Sequence, residues 1–190
     1  MSPLNCLTFL TDFGLDDGFV AACHGVAARI APAARVIDIT HLVPPGDVRR
    51  GAAVLAQTVP SMPPAVHVVV IDPGVGTTRR AVAIRAGQAI LVGPDNGVLS
   101  WAADALGGAE AAVELSNEAL WNHPVSLTFH GRDIFMPTGA HLAAGTPFEQ
   151  AGDPIEVTGL VRLAPPTARI LAGEAEGEVV TVDRFGNLQL

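Results

Sequence analysis

The sequence predicts an α/β fold: a mostly parallel sheet flanked by helices, followed by the beginning of a smaller β domain. Up to residue 145, short apolar runs alternate with segments of helical period, the pattern of a layered α/β architecture. The run 65–71 is apolar at nearly every position, as a strand covered on both faces must be. After Gly145 the composition shifts to Gly, Pro and short β-like pieces.

In chain order, residues 4–10 read as a buried strand. Residues 16–30 carry apolar side chains at 19, 20, 23, 26, 27 and 30, a helical period that Pro32 ends. A short strand at 35–39 precedes a helix at 47–59, with Asp47 as its N-cap and Pro60 as its stop. The buried strand 65–71 follows, then strands at 81–85 and 89–92, and a short helix at 98–106. Strands at 111–115 and 125–129 and a helix at 132–144 complete the first unit. The expected division is an α/β domain over 1–145, a linker over 146–172, and an incomplete C-terminal β domain over 173–190. The β-like pieces after Gly145 include 169–171, at the end of the linker, and 178–183, in the second unit. No internal repeat or low-complexity segment is present.

Composition narrows the functional classes. The chain has 190 residues and a net charge of −8, and 49 % of its residues are hydrophobic but only 16 % charged. The acidic balance without a basic run argues against nucleic acid or an anionic membrane as partner. All 11 cations are arginine, so a Walker-type phosphate loop and Schiff-base chemistry are excluded, and with no Tyr there is no tyrosyl acid or base. Cys6 and Cys23 lack metal-binding spacing, and Cys23 falls on an apolar helical stripe, where it reads as a core thiol. The N-terminus lacks the cationic start of a signal peptide, and no apolar run is long enough to span a bilayer. The expected location is the cytoplasm. A mean hydropathy of +0.38 with so few charges predicts apolar surface hidden by other subunits or by further chain.

The polar residues cluster at strand ends. Asp12 follows the first strand, Thr40-His41 the second, Asp72 the third, Asp95-Asn96 the fifth, and His130 ends the run 125–129. The carboxyl ends of parallel strands open onto one edge, which holds the ligand of such a sheet. Asp12, Asp72, Asn96 and His130 are therefore expected to converge. Taken singly, each Asp or Asn reads equally as a turn former. In residues 72–80, two glycines and a proline dictate a tight loop that ends in Arg79 and Arg80, suited to an anion or a polarised water. Asp133 reads as a helix N-cap, and His24, His67, His123 and His141 read as structural. No HxH, HExxH or paired-carboxylate spacing points to a metal.

Six ordered motifs carry a family resemblance: Leu-Thr-Asp-Phe-Gly at 10–14, Asp-Ile-Thr-His at 38–41 with Pro-Pro-Gly-Asp at 44–47, Val-Ile-Asp-Pro-Gly-Val-Gly at 70–76, Gly-Pro-Asp-Asn-Gly at 93–97, Thr-Phe-His-Gly-Arg-Asp at 128–133 and Asp-Arg-Phe-Gly-Asn at 183–187. Together they resemble the S-adenosylmethionine hydroxide adenosyltransferase family, the S-adenosylmethionine hydrolases, which are relatives of the chlorinase and fluorinase. The resemblance implies cleavage of S-adenosylmethionine to adenosine and L-methionine by attack of water or hydroxide on the ribose C5′. It implies no cofactor and no metal, because methionine leaves the sulfonium as a neutral thioether.

The family's Asp-Arg-His set maps onto Asp72, Arg79 and His130, and its ribose-diol aspartate onto Asp12. Asn96 joins the substrate-binding group from its strand-end position. Asp183, Phe185 and Asn187 match the second-domain motif that holds the methionine amine and the adenine. The resemblance also implies a homotrimer whose sites lie between the first domain of one subunit and the second domain of its neighbour. The complete Asp72, Arg79 and His130 set favours water over halide as nucleophile, while leaving open which of the three is the base. Competing expectations are a truncated, non-catalytic scaffold that binds adenosine or only trimerises, a halide-using halogenase, and a metal-dependent nucleotidase suggested by Asp16-Asp17-Gly18.

Overall fold

The computed structural model describes residues 3–189; Met1, Ser2 and Leu190, the outermost residues of the two expected domains, lie outside the described residues. Strands β1 (Cys6–Thr11), β2 (Arg35–Thr40), β3 (Val66–Val70), β4 (Ala81–Ala86), β5 (Ala89–Pro94), β6 (Ala111–Glu114) and β7 (Asp153–Ile155) form one sheet in the order β2-β1-β3-β5-β4-β6-β7. β2, β1, β3 and β5 are parallel, and β4 turns back between β5 and β6, pairing antiparallel with both. β6 therefore points the same way as β5, so five of the seven strands share one direction.

The alternation along β3 explains its unbroken apolar sequence. Val66, Val68 and Val70 face a cluster with α1 (Phe19–Ile30) and α4 (Met136–Ala143). Val69 and the following Ile71 face α2 (Val48–Thr58) and α3 (Ser100–Ala105) on the other side. Each fully buried Val or Leu is worth about 1.5–3 kcal/mol relative to exposure, so the central strands anchor the molecule. Gly139 lets α4 close onto the sheet: a Cβ there would stand 2.4 Å from Val68 Cγ2. Asp47 caps α2 as expected, its carboxylate accepting the Arg50 amide at 2.9 Å. Cys23 is fully buried, and burial pushes its thiol up to about 12, as befits a core thiol rather than a nucleophile.

Three local expectations are corrected. Residues 125–129 form no strand: the Ser126 amide donates to Asp133 Oδ2, the Thr128 amide donates to Ser126 Oγ, and Leu127 is exposed. Side chains thus take amides that a ladder needs. Asp133 is not an N-cap. It sits fully buried within a π-helical turn, Gly131–Phe135, that leads directly into α4. The stretch 146–172, read as a linker, is built onto the body over its first two thirds. Phe148 and Ala151 are buried, β7 pairs with β6, and the Trp101 indole donates to the Leu163 carbonyl. Beyond it lie two hairpins, β8 (Ala168–Leu171) with β9 (Glu174–Gly177), and β10 (Thr181–Val182) with β11 (Leu188–Gln189).

Candidate active site

Asp72 lies just past β3, Arg79 ends the loop before β4, and His130 begins the π-helical turn. One guanidinium joins them. Arg79 Nε donates to Asp72 Oδ1 and Oδ2 at 2.9 and 3.0 Å, and Nη2 reaches Oδ2 at 2.5 Å. Nη2 also meets His130 Nδ1 at 2.8 Å. Both ion-pair side chains are largely buried, 12 % exposed for Arg79 and 5 % for Asp72, and the guanidinium lies over the Phe135 ring, 5.0 Å from its centroid.

The chemistry of arginine settles the imidazole's state. A guanidinium has donors only, so His130 Nδ1 must accept and the ring is neutral with its proton on Nε2. Burial and the Arg79 charge both push the His130 pKa below its ordinary value, against the opposing pull of Asp72 and Asp133. Among the described residues, Arg79 Nη1 and His130 Nε2 carry no hydrogen bond. The free polar groups at this point are thus all donors, a setting that favours an anion or the oxygen of a polarised water.

The neighbouring loops close around this set. Gly76 takes a positive φ of +76°, and a Cβ there would stand 2.7 Å from the Leu127 carbonyl, so the Asp72–Arg79 loop packs directly on the approach to His130. Phe13, Phe19 and Phe129 meet edge-to-face with centroids 5.3–6.2 Å apart, joining the segment after Asp12 to the one before His130. Asp12 Oδ2 accepts the Gly46 amide at 2.7 Å, and Gly46 in turn faces Pro73, the residue after Asp72. Asp12, Asp72, Arg79 and His130 therefore belong to one circle of interlocked loops at the carboxyl edge of the sheet.

Other candidates are placed elsewhere. Asn96 spends its amide on the Ile71 carbonyl, at 2.8 Å, and its oxygen on the Val98 amide, at 3.1 Å, so it braces the floor of the edge through backbone. Arg80 parts from Arg79 and pairs with Asp95 and the Gly159 carbonyl, while Asp95 accepts the Val161 amide, fastening the 159–161 segment to the body. Asp183 accepts the amides of Phe185 and Asn187 and the Asn187 side chain, making a self-contained turn with Phe185 outermost. Among the described residues no hydrogen bond links that turn to the Asp12–His130 edge. Asp16 and Asp17 are exposed ahead of α1.

Comparison with known proteins gives this edge its context. Residues 7–152 match the family model described as the SAM hydroxide adenosyltransferase N-terminal domain. The chain belongs to the SAM hydroxide adenosyltransferase family. A relative in this family from Salinispora tropica, named (R)-S-adenosyl-L-methionine hydrolase, is 62 % identical over the whole chain, which spans 73 % of that protein. A Thermus thermophilus relative of the same name is 47 % identical over 94 % of the chain and 71 % of its own length. A protein named fluorinase from an Actinoplanes species is 29 % identical over 96 % of the chain and 70 % of its own length. Among solved structures, an uncharacterised conserved protein from Thermotoga maritima superposes with a TM-score of 0.89 at 39 % identity, covering 96 % of this chain and 69 % of its own.

Sequence reasoning reached the Asp72, Arg79 and His130 set but missed what steadies it. Asp133 is fully buried and takes Arg132, Asn122 and the Ser126 amide. Burial alone would raise its pKa; the bonds from Arg132, Ser126 and Asn122 outweigh that and hold the carboxyl below the usual range. It fixes the turn that presents His130. The signal was the Arg132-Asp133 pair, one glycine after the histidine, which also fits an exposed helix start.

Proposed function

We propose that this chain hydrolyses S-adenosylmethionine to adenosine and L-methionine, with water or hydroxide attacking the ribose C5′. The observation that carries the reading is the buried Asp72–Arg79–His130 set, whose remaining free groups are donors. An oxygen nucleophile seated against Arg79 Nη1 and His130 Nε2 is stabilised as it approaches hydroxide. Its O–C5′ bond forms while the C5′–S bond breaks. The sulfur keeps the electron pair and methionine departs as a neutral thioether, so no acid need protonate it, and the water proton passes to solvent. Asp72 fixes the guanidinium in place; with both carboxylate oxygens held by Arg79, its work is orientation. Asp12 keeps one carboxylate oxygen beyond its bond to Gly46, and it takes the ribose diol. No step calls for a metal or a redox cofactor. Names given to relatives at 62 % and 47 % identity support the same substrate.

The finer reading is a cytoplasmic homotrimer in which Asp183, Phe185 and Asn187 of one subunit complete the methionine and adenine side of a neighbour's site. The exposure of Phe185, at 89 %, supports it. The direct experiment is incubation with S-adenosylmethionine followed by chromatography. Equimolar adenosine and methionine are expected, undiminished by EDTA; a 5′-halo nucleoside in chloride buffer, or no product, overturns the reading.

A further inference from the structure

His24 on α1, Asp38 on β2 and His41 just after β2 converge in space. His24 Nε2 lies 2.8 Å and His41 Nε2 3.2 Å from the same oxygen, Asp38 Oδ1. One ligand atom from each of the three lies within 4.8 Å of the others. We propose that these side chains form a binding site for a divalent transition metal, with Zn²⁺ the ion that fits them best, separate from the Asp72–Arg79–His130 set.

His41 supplies the independent observation. Its residue is 4 % exposed, and Nε2 is buried without a hydrogen-bond partner, because Asp38 Oδ1 is near but off the direction such a bond needs. Buried imidazole nitrogens rarely stay unpaired. The opposite ring atom, Nδ1, lies 2.9 Å from Thr11 Oγ1. When that nitrogen donates to the hydroxyl, Nε2 presents a lone pair toward Asp38 and His24. A hydrogen bond of this kind from the opposite ring nitrogen commonly orients a metal-bound histidine.

The donor set and the spacing agree with this assignment. Two imidazoles and one carboxylate suit Zn²⁺, which bonds such atoms at about 2.0–2.2 Å, so tetrahedral ligand atoms stand about 3.3–3.6 Å apart. The observed 2.8 and 3.2 Å need to open by only tenths of an ångström. Phe9 packs against both imidazoles, with centroids 6.1 Å from His24 and 5.0 Å from His41, and so limits their tilt. His24 and Asp38 are each partly open to solvent, with side chains 37 % and 40 % exposed, which gives the ion a way in and leaves the fourth position to water.

Such an ion ties α1 to β2, the edge strand of the sheet. It also steadies the turn after β1, because the Gly14 amide donates to the His41 carbonyl at 2.8 Å. Its role is structural, and the hydrolysis proposed above does not depend on it.

The test uses untagged protein freed of metal with EDTA and then dialysed. Calorimetric titration with Zn²⁺ and visible absorption on Co²⁺ addition are expected to show one saturable ion per chain, with tetrahedral Co²⁺ bands. Saturation is expected to raise Tm by several degrees through mass action. His24→Ala and Asp38→Asn, both at partly exposed positions, are each expected to weaken binding at least tenfold while the unliganded Tm stays within a few degrees. Absence of saturable one-to-one binding, or binding unchanged in both variants, overturns the proposal and leaves a simple His-Asp-His hydrogen-bond cluster. Binding is read without turnover, so the result is independent of whether the chain hydrolyses S-adenosylmethionine.

Discussion

From β1 to β7 the chain holds its candidate site side chains by burial, whereas in the hairpins from β8 to β11 the candidate side chains of the Asp183 turn are held by local bonds. Asp72 and Arg79 are fixed by a largely buried ion pair, and Asp133 is fully enclosed beneath His130. In contrast, all residues of β8 and β9 are exposed, as are Ile170, Val182, Phe185 and Leu188. Asp183 keeps its turn through hydrogen bonds from Asn187 and the Phe185 amide, which also hold its carboxyl below the usual range. The body therefore fixes the positions of its candidate site groups by its own packing. The hairpins present a preformed turn whose apolar face acquires a use only when another surface covers it.

The comparison breaks most sharply at Arg79. Arg79→Ala is expected to lower adenosine formation by at least about 100-fold, the usual loss for a preorganised donor at a developing charge, with substrate affinity nearly kept. Wild-type turnover in this variant would remove the buried set from the chemistry.

Acid should separate the regions next. His67 on β3 is 1 % exposed, bonded to Thr8 Oγ1 at 2.8 Å, and burial lowers its pKa from 6.5 to about 4. The unfolded chain binds this proton more readily, so the contribution is whole above pH 6.5 and is lost as pH falls toward 4. The shift corresponds to on the order of 3 kcal/mol. Urea midpoints should fall across that window; a flat profile would show that the body tolerates a buried charge.

Packing gives a smaller effect. Gly139→Ala drives a methyl group toward Val68 and should cost about 1–3 kcal/mol. Gly159→Ala, with open space around its Cβ, should stay within about 0.5 kcal/mol. Equal Tm values for the two would mean that the helix-to-sheet contact is not tight. In the hairpins, Phe185→Ala is expected to leave the melting curve unchanged and to reduce kcat/KM about tenfold, the loss of about 1.4 kcal/mol of binding. A lower Tm instead would place this ring in the fold rather than in a neighbour's site.

Strand-end placement made Asp12 and Asp72 legible, because parallel topology sends such residues to one side whatever their separation in sequence. Arg79, ahead of the antiparallel β4, and His130, after a segment that is no strand, were legible only through the motifs that carry the family resemblance. The helices of the first domain were legible for the same reason as β3: their apolar period matches a two-sided core. The turn-back of β4 was not, since its alternation with β5 fits either direction. Residues 125–129 misled because the pattern Val-Ser-Leu-Thr-Phe looks like a strand, while Asp133, eight residues after Val125, claims the Ser126 amide and Ser126 Oγ claims that of Thr128. β7 is three residues long and contains Pro154, too little pattern to read. His24 met Asp38 and His41 only through the packing of α1 on the sheet edge, which spacing along the chain does not encode.

The donors left free on Arg79 and His130 have a consequence for competition among anions. Such a seat does not by itself distinguish hydroxide from chloride, and at neutral pH hydroxide is scarce while chloride is abundant. Selectivity then rests on arrival: neutral water enters without shedding a tightly held shell and becomes basic only where it is held, whereas a halide must first be stripped of its hydration. Under the proposed hydrolysis, how dry that seat is thereby governs which nucleophile reaches the carbon.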